Sequence, residues 1–279
     1  MAGGSVVSAP SFVSRMFRGG VAVAALAVTF ACAPQTRNVV PAGTSEPDKF
    51  LFDKGDTALK ARKWITAREY FKQVVESYTQ SPYRPDAKLG VADTYLEEGG
   101  ADNLILAISE FREFLAFYPL NPRADYAQYK LAIAHFRQMR AAPRDQSETR
   151  DAIKEFQTFV TRYPSSALMR DAKAKLREAQ DRVGEADYLV GMFYYRQKWY
   201  PGSIDRFRSL LKNDPEYTRR DNVYFYLAES YVKGTTGVQA RAQALPLYEK
   251  LVNEFQKSEH LQDAQKRIVE LKAQAANKS

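Results

Sequence analysis

Apolar residues recur at helical spacing along most of the chain, and one step is repeated five times. In this step, a small residue is followed four places later by an aromatic residue, and a helix-ending residue comes seven places after that. The five instances are Ala67/Phe71/Tyr78, Ala107/Phe111/Tyr118, Ala152/Phe156/Tyr163, Ser203/Phe207/Asp214 and Ala244/Tyr248/Phe255. Residues four apart lie on one face of a helix, and the small residue lets a neighbouring helix approach closely. Five copies predict a stack of helix pairs, an architecture commonly used to bind other proteins.

Proline and glycine residues between the apolar segments predict where the helices end. The expected pairs are 48–61 with 64–78, 85–98 with 101–117, 122–139 with 147–163, 184–198 with 201–212, and 217–233 with 241–255. Residues 258–274 form a polar helix that we expect to cap the last apolar face. The pattern resembles tetratricopeptide repeats. The predicted fold is therefore all-α, an α-solenoid of five tetratricopeptide-like helix pairs with a C-terminal capping helix.

The spacing between repeats is uneven, at 40, 45, 51 and 41 residues. The 51-residue step contains 166–183, a run without proline or glycine that we expect to continue into the next helix, with Gly184 as a possible bend. Three repeats over 48–165 thus precede a long connecting helix over 166–198, and two repeats with the cap occupy 199–279. Pro246 belongs either to the first turn of the last second helix or to a kink within it.

The N-terminus has the composition of a secretory signal over residues 1–31. Arg15 and Arg18 precede an apolar segment that ends at Ala31, and the only cysteine of the chain, Cys32, follows directly. A small residue before a cysteine resembles the processing site of bacterial lipoproteins, and it implies a lipid on Cys32. The alternative is an ordinary signal peptide with an incidental cysteine. Translation from Met16 would give a shorter signal.

Residues 32–47 contain three prolines and few apolar residues. This composition is typical of a flexible segment, with a root-mean-square span of about 20 Å. If Cys32 is acylated, we expect the segment to be a lipidated tether that lets the folded part stand off the membrane.

Charge and motifs exclude several classes of function. The formal net charge is +8, and acids alternate with bases as on solvated helix faces. No basic stripe with interleaved aromatic residues indicates a nucleic-acid partner. The two histidines, His135 and His260, lie in separate repeats, and no Cys/His cluster or phosphate-binding loop is found. We expect neither catalytic residues, a metal site nor a cofactor beyond the lipid on Cys32.

Several aromatic residues exceed what the repeat requires. They are Tyr83, Tyr126, Tyr217 and the run Tyr224-Phe225-Tyr226. Because a continuous aromatic run on a helix cannot bury every side, we expect at least one of its rings to face a groove or a partner.

Three stretches carry a closer resemblance: SPYRPDAKLGVADTYLEEG (81–99), FYPLNPRADYAQYKLAIAHF (117–136) and FYYRQKWYPGSIDRFRSLLKNDPEYTRRDNVYFYLAESY (193–231). Together with the signal and the tether, they resemble the BamD family of the outer-membrane β-barrel assembly machinery. The resemblance implies a scaffold lipoprotein that is anchored in the outer membrane and faces the periplasm. It would couple unfolded barrel substrates to a BamA-like insertase and bind accessory assembly lipoproteins.

The resemblance also implies two surfaces. Arg206 in IDRF (204–207) matches an arginine of the family's fourth repeat, and Arg220-Asp221 matches an Arg-Asp pair that opens the fifth. The expected insertase contacts are Tyr195, Arg206, Arg220, Asp221 and Tyr224. The expected substrate groove is formed by Tyr83, Asp93 and Tyr95.

Two other functions fit a chain of this kind. One is a different periplasmic repeat lipoprotein that coordinates cell division or peptidoglycan synthesis. Such proteins usually carry a coiled coil before the repeats, and residues 33–47 hold no heptads. The other is a soluble periplasmic chaperone without an anchor.

Overall fold

Eleven helices follow one another through the part of the chain that this computed structural model describes, residues 40–235 and 237–276. They are α1 (Pro47–Lys60), α2 (Trp64–Ser77), α3 (Arg84–Glu98), α4 (Ala101–Phe117), α5 (Ala124–Phe136), α6 (Ser147–Arg162), α7 (Met169–Arg196), α8 (Tyr200–Asn213), α9 (Arg220–Gly234), α10 (Gly237–Glu254) and α11 (Leu261–Ala276). Each helix packs on the next. The prediction of an all-α solenoid of five helix pairs with a capping helix is confirmed. The predicted signal, Cys32 and most of the tether lie outside the described residues.

The repeated small-to-aromatic step builds the core. In all five instances, the small residue and the aromatic residue four places later are buried. Phe71 lies between two first helices, against Gly55 on α1 and Gly90 on α3. A Cβ atom added at these glycines would lie 2.7 Å and 2.6 Å from the Phe71 ring. Glycine is therefore required there by the close approach of the helices.

The longest helix, α7, runs for 28 residues without a break, where a connecting helix over 166–198 is predicted. Ala172 near its start belongs to the core cluster of Phe156 on α6, and Tyr188 and Met192 near its end belong to that of Phe207 on α8. Gly184 lies inside it, against the ring of Tyr217. The helix begins three residues later than 166 because Ser166 serves the preceding turn, where its hydroxyl donates to Asp125 and accepts from the N–H of Leu168.

Pro246 lies in the interior of α10, the tenth residue of an 18-residue helix. The alternative that placed it in a first turn is therefore wrong, because the helix begins at Gly237 and not at 241. Proline has no N–H, so the carbonyl of Ala242 lacks its usual helical donor. Pro246 is exposed. Within the described residues, no helix is long and apolar enough to cross a membrane.

Candidate partner-binding surfaces

The antiparallel helices α7 and α8 form a shallow surface that we call the α7–α8 crease. It extends from Tyr194 on α7 and Trp199, just before α8, to Asp187 on α7 and Arg206 on α8. At one end, the rings of Tyr194 and Trp199 meet edge to face, with centroids 4.7 Å apart. Trp199 also covers Gly202, where a Cβ atom would clash with the indole. More than half of the Trp199 surface is exposed.

Arg206 lies at the other end of the crease. Its helix is held by Phe207, which is buried, and Arg206 itself is exposed. Its side chain forms no ion pair or hydrogen bond with another residue of the described chain. Burial raises the pKa of the nearby Asp187 carboxyl, and the positive charges of Arg150 and Arg206 oppose this rise. The guanidinium of Arg206 is thus free for a carboxylate of a partner.

Tyr195 faces away from the crease, toward α9. Its ring lies 5.1 Å from the ring of Tyr226, and its hydroxyl accepts a hydrogen bond from Lys233. The structure therefore does not bring Tyr195 and Arg206 into one patch. Two rings of the predicted aromatic run, Phe225 and Tyr226, are partly exposed on this side.

Arg220, Asp221 and Tyr224 fix the start of α9 to the turn before α11. Arg220 donates to the carbonyl of Tyr217 at 3.0 Å, and its guanidinium lies 5.3 Å from the centre of the Phe255 ring in that turn. The carboxylate of Asp221 accepts from the Ser258 hydroxyl at 2.6 Å. Tyr224 is buried. The same aspartate–serine bond joins Asp48 to Ser81 and Asp125 to Ser166. These contacts explain the three residues structurally, and their contact with a partner stays a prediction.

Asp93 is buried between α3 and α5. It is 7% exposed, and the Tyr126 hydroxyl lies 2.9 Å from both of its carboxylate oxygens. Burial raises the pKa of Asp93 to about 6, against the opposing effects of Lys130, the hydrogen bond from Tyr126, and Arg123. Its carboxylate is therefore occupied inside the fold and does not face an open groove.

The other two predicted groove residues differ in exposure. Tyr95 is buried, and the guanidinium of Arg68 lies 3.7 Å from the centre of its ring. Tyr83 is partly exposed and stacks on Phe52, with ring centroids 5.5 Å apart. Of the three residues, only Tyr83 offers surface to a peptide in this conformation. Substrate contact at these positions stays a prediction.

A ladder of charges between α3 and α5 was not anticipated from the sequence. Asp86 pairs with Arg123 at 3.0 Å, and Glu97 pairs with Lys130 at 3.2 Å and with Arg137 at 3.4 Å. The cations recur every seven residues along α5, which is the signal that could have revealed the ladder. It fixes two neighbouring first helices through their long side chains.

A cavity of about 300 Å³ opens between the first and second helix pairs. Its lining consists of Val75, Arg84, Lys88, Glu113, Phe117 and Tyr118. Arg84 donates to the carbonyl of Val75 and to the hydroxyl of Tyr118. The sequence analysis missed this cavity because its walls come from three helices.

His135 is a packed residue, as predicted. Its Nδ1 lies 2.8 Å from a carboxylate oxygen of Glu148, and its Nε2 lies 3.1 Å from the guanidinium of Arg112. Asp151 completes a group of three side chains that could approach a metal ion. The arginine at the second ring nitrogen favours a structural histidine, because a cation would be repelled there.

Comparisons with known proteins show the family to which the chain belongs. Residues 44–244 match the model of the outer membrane lipoprotein family, YfiO. A protein of Caulobacter vibrioides named outer membrane protein assembly factor BamD is 27% identical over 234 residues, 82% of this chain and 75% of that protein. A protein of Vibrio cholerae with the same name is 25% identical over 69% of this chain and 81% of that protein. The TPR2AB-domain:pHSP90 complex of yeast Sti1 gives a TM-score of 0.42 and 15% identity over 81% of this chain and 86% of that chain, too distant a similarity to carry an inference.

Proposed function

Because the chain belongs to the outer membrane lipoprotein family YfiO, we propose that it is an assembly factor for outer-membrane β-barrel proteins. In this role it is a non-catalytic scaffold, anchored by a lipid on Cys32 and facing the periplasm. It couples unfolded barrel proteins to a BamA-like insertase, with accessory assembly lipoproteins as further partners. The names of the Caulobacter vibrioides and Vibrio cholerae relatives support this proposal.

The α7–α8 crease is the observation that carries the insertase contact. Arginine and tryptophan are enriched among residues that dominate the energy of protein interfaces. Here Arg206 is exposed without an ion pair in the described chain, and Trp199 is exposed at the other end of the same crease. A partner segment with a carboxylate and an apolar side chain fits both ends. Tyr195, Arg220, Asp221 and Tyr224 then support the helices rather than form the centre of the contact.

A pull-down from detergent-solubilised envelope tests the role. The tagged lipoprotein should co-purify a large β-barrel protein. The variant Arg206→Glu should reduce the recovered barrel protein by about tenfold or more, because it places like charges across the contact. Arg208→Glu is the matched control, since Arg208 is exposed on the same helix but lies off the crease. If no β-barrel co-purifies with the unchanged protein, the assembly role is wrong. Equal recovery with both variants would remove Arg206 from the interface.

The substrate side is proposed for the N-terminal repeats, next to Tyr83. The cavity beside Arg84 is the open site there, because Asp93 and Tyr95 are buried. Cross-linking from a photoreactive residue at position 117 to an unfolded barrel protein should succeed, and cross-linking from position 95 should fail. Equal yields at both positions would contradict this placement.

The anchor is tested by mass spectrometry of the mature N-terminus. An acylated Cys32 is expected as the first residue. An unmodified N-terminus at any other residue would favour a soluble periplasmic chaperone.

A further inference from the structure

In the first three pairs, the turns that join the two helices lie along one edge of the solenoid, because successive helices are packed and run in opposite directions. We call this edge the basic edge and define it by residues 59–66, 99–106 and 137–146. The turn after α7 is not part of it, because Arg182 donates to the carbonyl of Arg140 and α7 runs on for 14 residues, about 21 Å, beyond that contact. The opposite edge carries the turns that lead from one pair to the next. The two edges differ in composition, and the proposed assembly role makes no use of this difference.

Large apolar side chains are exposed at two of these turns. They are Ile65, Ile105 and Leu106, with exposed fractions between 44% and 63%. Trp64, one of the two tryptophans of the chain, precedes Ile65 and is partly exposed. Tryptophan and other aromatic residues concentrate where proteins meet the headgroup region of a membrane.

Cations surround these apolar residues. Exposed cations without an ion pair in the described chain are Arg62, Lys63, Arg140 and Arg144. The carboxylates of Glu97 and Glu98, next to the edge, are paired with cations, and only Asp102 and Asp145 lack an ion pair among the described residues of the edge. The edge therefore carries an excess of positive charge.

One of these cations, Arg62, ends α1 in the left-handed conformation, with a φ of 57°. It turns the chain into α2 and stands two residues before Trp64. The first turn thus presents Arg62 and Lys63 beside a tryptophan.

From this arrangement we propose that the basic edge binds the surface of an anionic lipid bilayer. The cations contact lipid phosphates, and the indole and aliphatic side chains enter the headgroup region. A planar membrane suits a line of separate turns, whereas a protein partner would need one contiguous patch. The α7–α8 crease lies outside these three turns, so it remains open to a partner while the edge is bound.

Vesicle binding of residues 40–279 tests the proposal without the lipid anchor. This fragment is one compact unit that contains all three core clusters, so it folds without residues 1–39. It should sediment with vesicles of phosphatidylglycerol and phosphatidylcholine, and bind weakly to phosphatidylcholine alone. Brominated lipids should quench its tryptophan fluorescence. Equal binding to both vesicle types, or no quenching, would overturn the proposal.

Matched variants locate the contact. The edge variant combines Arg62→Glu, Lys63→Glu and Ile65→Ser. The control variant combines Arg170→Glu, Lys257→Glu and Leu120→Ser, which make the same changes at exposed residues of the opposite edge.

The edge variant should lower the partition coefficient by about tenfold or more, since each cation near an anionic surface contributes about 1 kcal/mol. The control variant should stay within about twofold of the unchanged fragment. An equal loss in both variants, with unchanged helical circular dichroism, would show that net charge alone drives binding and would overturn the proposal. Vesicles contain no insertase, so this result is independent of the pull-down.

Discussion

Replacing Asp93 with asparagine should stabilise the folded chain at neutral and alkaline pH. The carboxylate is buried against Tyr126, and burial raises the pKa of Asp93 from 3.8 to about 6. Such a rise corresponds to a cost of about 3 kcal/mol for keeping the group charged in the folded state. Asparagine has the same shape and can still accept a hydrogen bond from Tyr126. Because the attraction to Lys130 is lost, we expect a net gain of about 1–3 kcal/mol.

The stability gained by Asp93→Asn should depend on pH. When the pKa of a carboxyl is higher in the folded chain than in the unfolded chain, its free-energy cost is fully present above the folded pKa. The cost disappears as the pH falls below the pKa of the unfolded chain. The advantage of Asp93→Asn should therefore be largest at pH 8 and fall to roughly half at pH 5.

Urea unfolding of residues 40–279, followed by circular dichroism at both pH values, measures the difference. Asp86→Asn is the control on the same helix, where the loss of a half-exposed ion pair with Arg123 should cost less than about 1 kcal/mol. An Asp93→Asn variant that is no more stable at pH 8, or whose advantage does not change with pH, would refute the reasoning.

Three further predictions concern packing and the backbone. Gly90→Ala should destabilise the chain by about 1–3 kcal/mol because its Cβ atom would lie 2.6 Å from the Phe71 ring, and adding Phe71→Leu should recover part of the loss in urea unfolding. Glu229→Gln should cost about 2–3 kcal/mol at pH 7, since the buried carboxylate accepts from Arg267 at 2.7 Å. Although burial opposes it, hydrogen bonding lowers the pKa of Glu229, so this loss should shrink as the pH falls below about 4.5. Lys198→Gly should raise the melting temperature, because a positive φ costs a residue other than glycine about 1 kcal/mol. Lys198→Ala should not raise it, because alanine has the same cost.

The sequence predicts the helix pairs well because one physical requirement recurs in it. Close packing of helices needs a small residue beside a large one, and the step from Ala67 to Phe71 and its four copies place these residues at fixed spacing. The boundaries near the C-terminus are less predictable. Gly237 begins α10 in place of residue 241, and Pro246 is tolerated because it lies on the exposed side.

The candidate surfaces depend on contacts between distant parts of the chain, so the sequence predicts them only in part. The exposure of Arg206 could be predicted from its neighbour Phe207. Phe207 faces the core, and adjacent residues of a helix point in different directions. The burial of Asp93 could not be inferred, since its partner Tyr126 lies on another helix 33 residues away. Tyr224 is buried because the α10–α11 turn covers it, which local spacing does not show.

The unbroken course of α7 makes the number of its residues a geometric quantity. Each residue of an α-helix rotates the chain by about 100° and advances it by about 1.5 Å. One residue inserted between Ala179 and Gly184 would therefore rotate the α7–α8 crease by about a quarter turn relative to the first three repeats. Seven inserted residues would restore nearly the original orientation, with the crease displaced by about 10 Å along the helix axis. The number of residues in α7 thus sets the angle between the first three repeats and the last two.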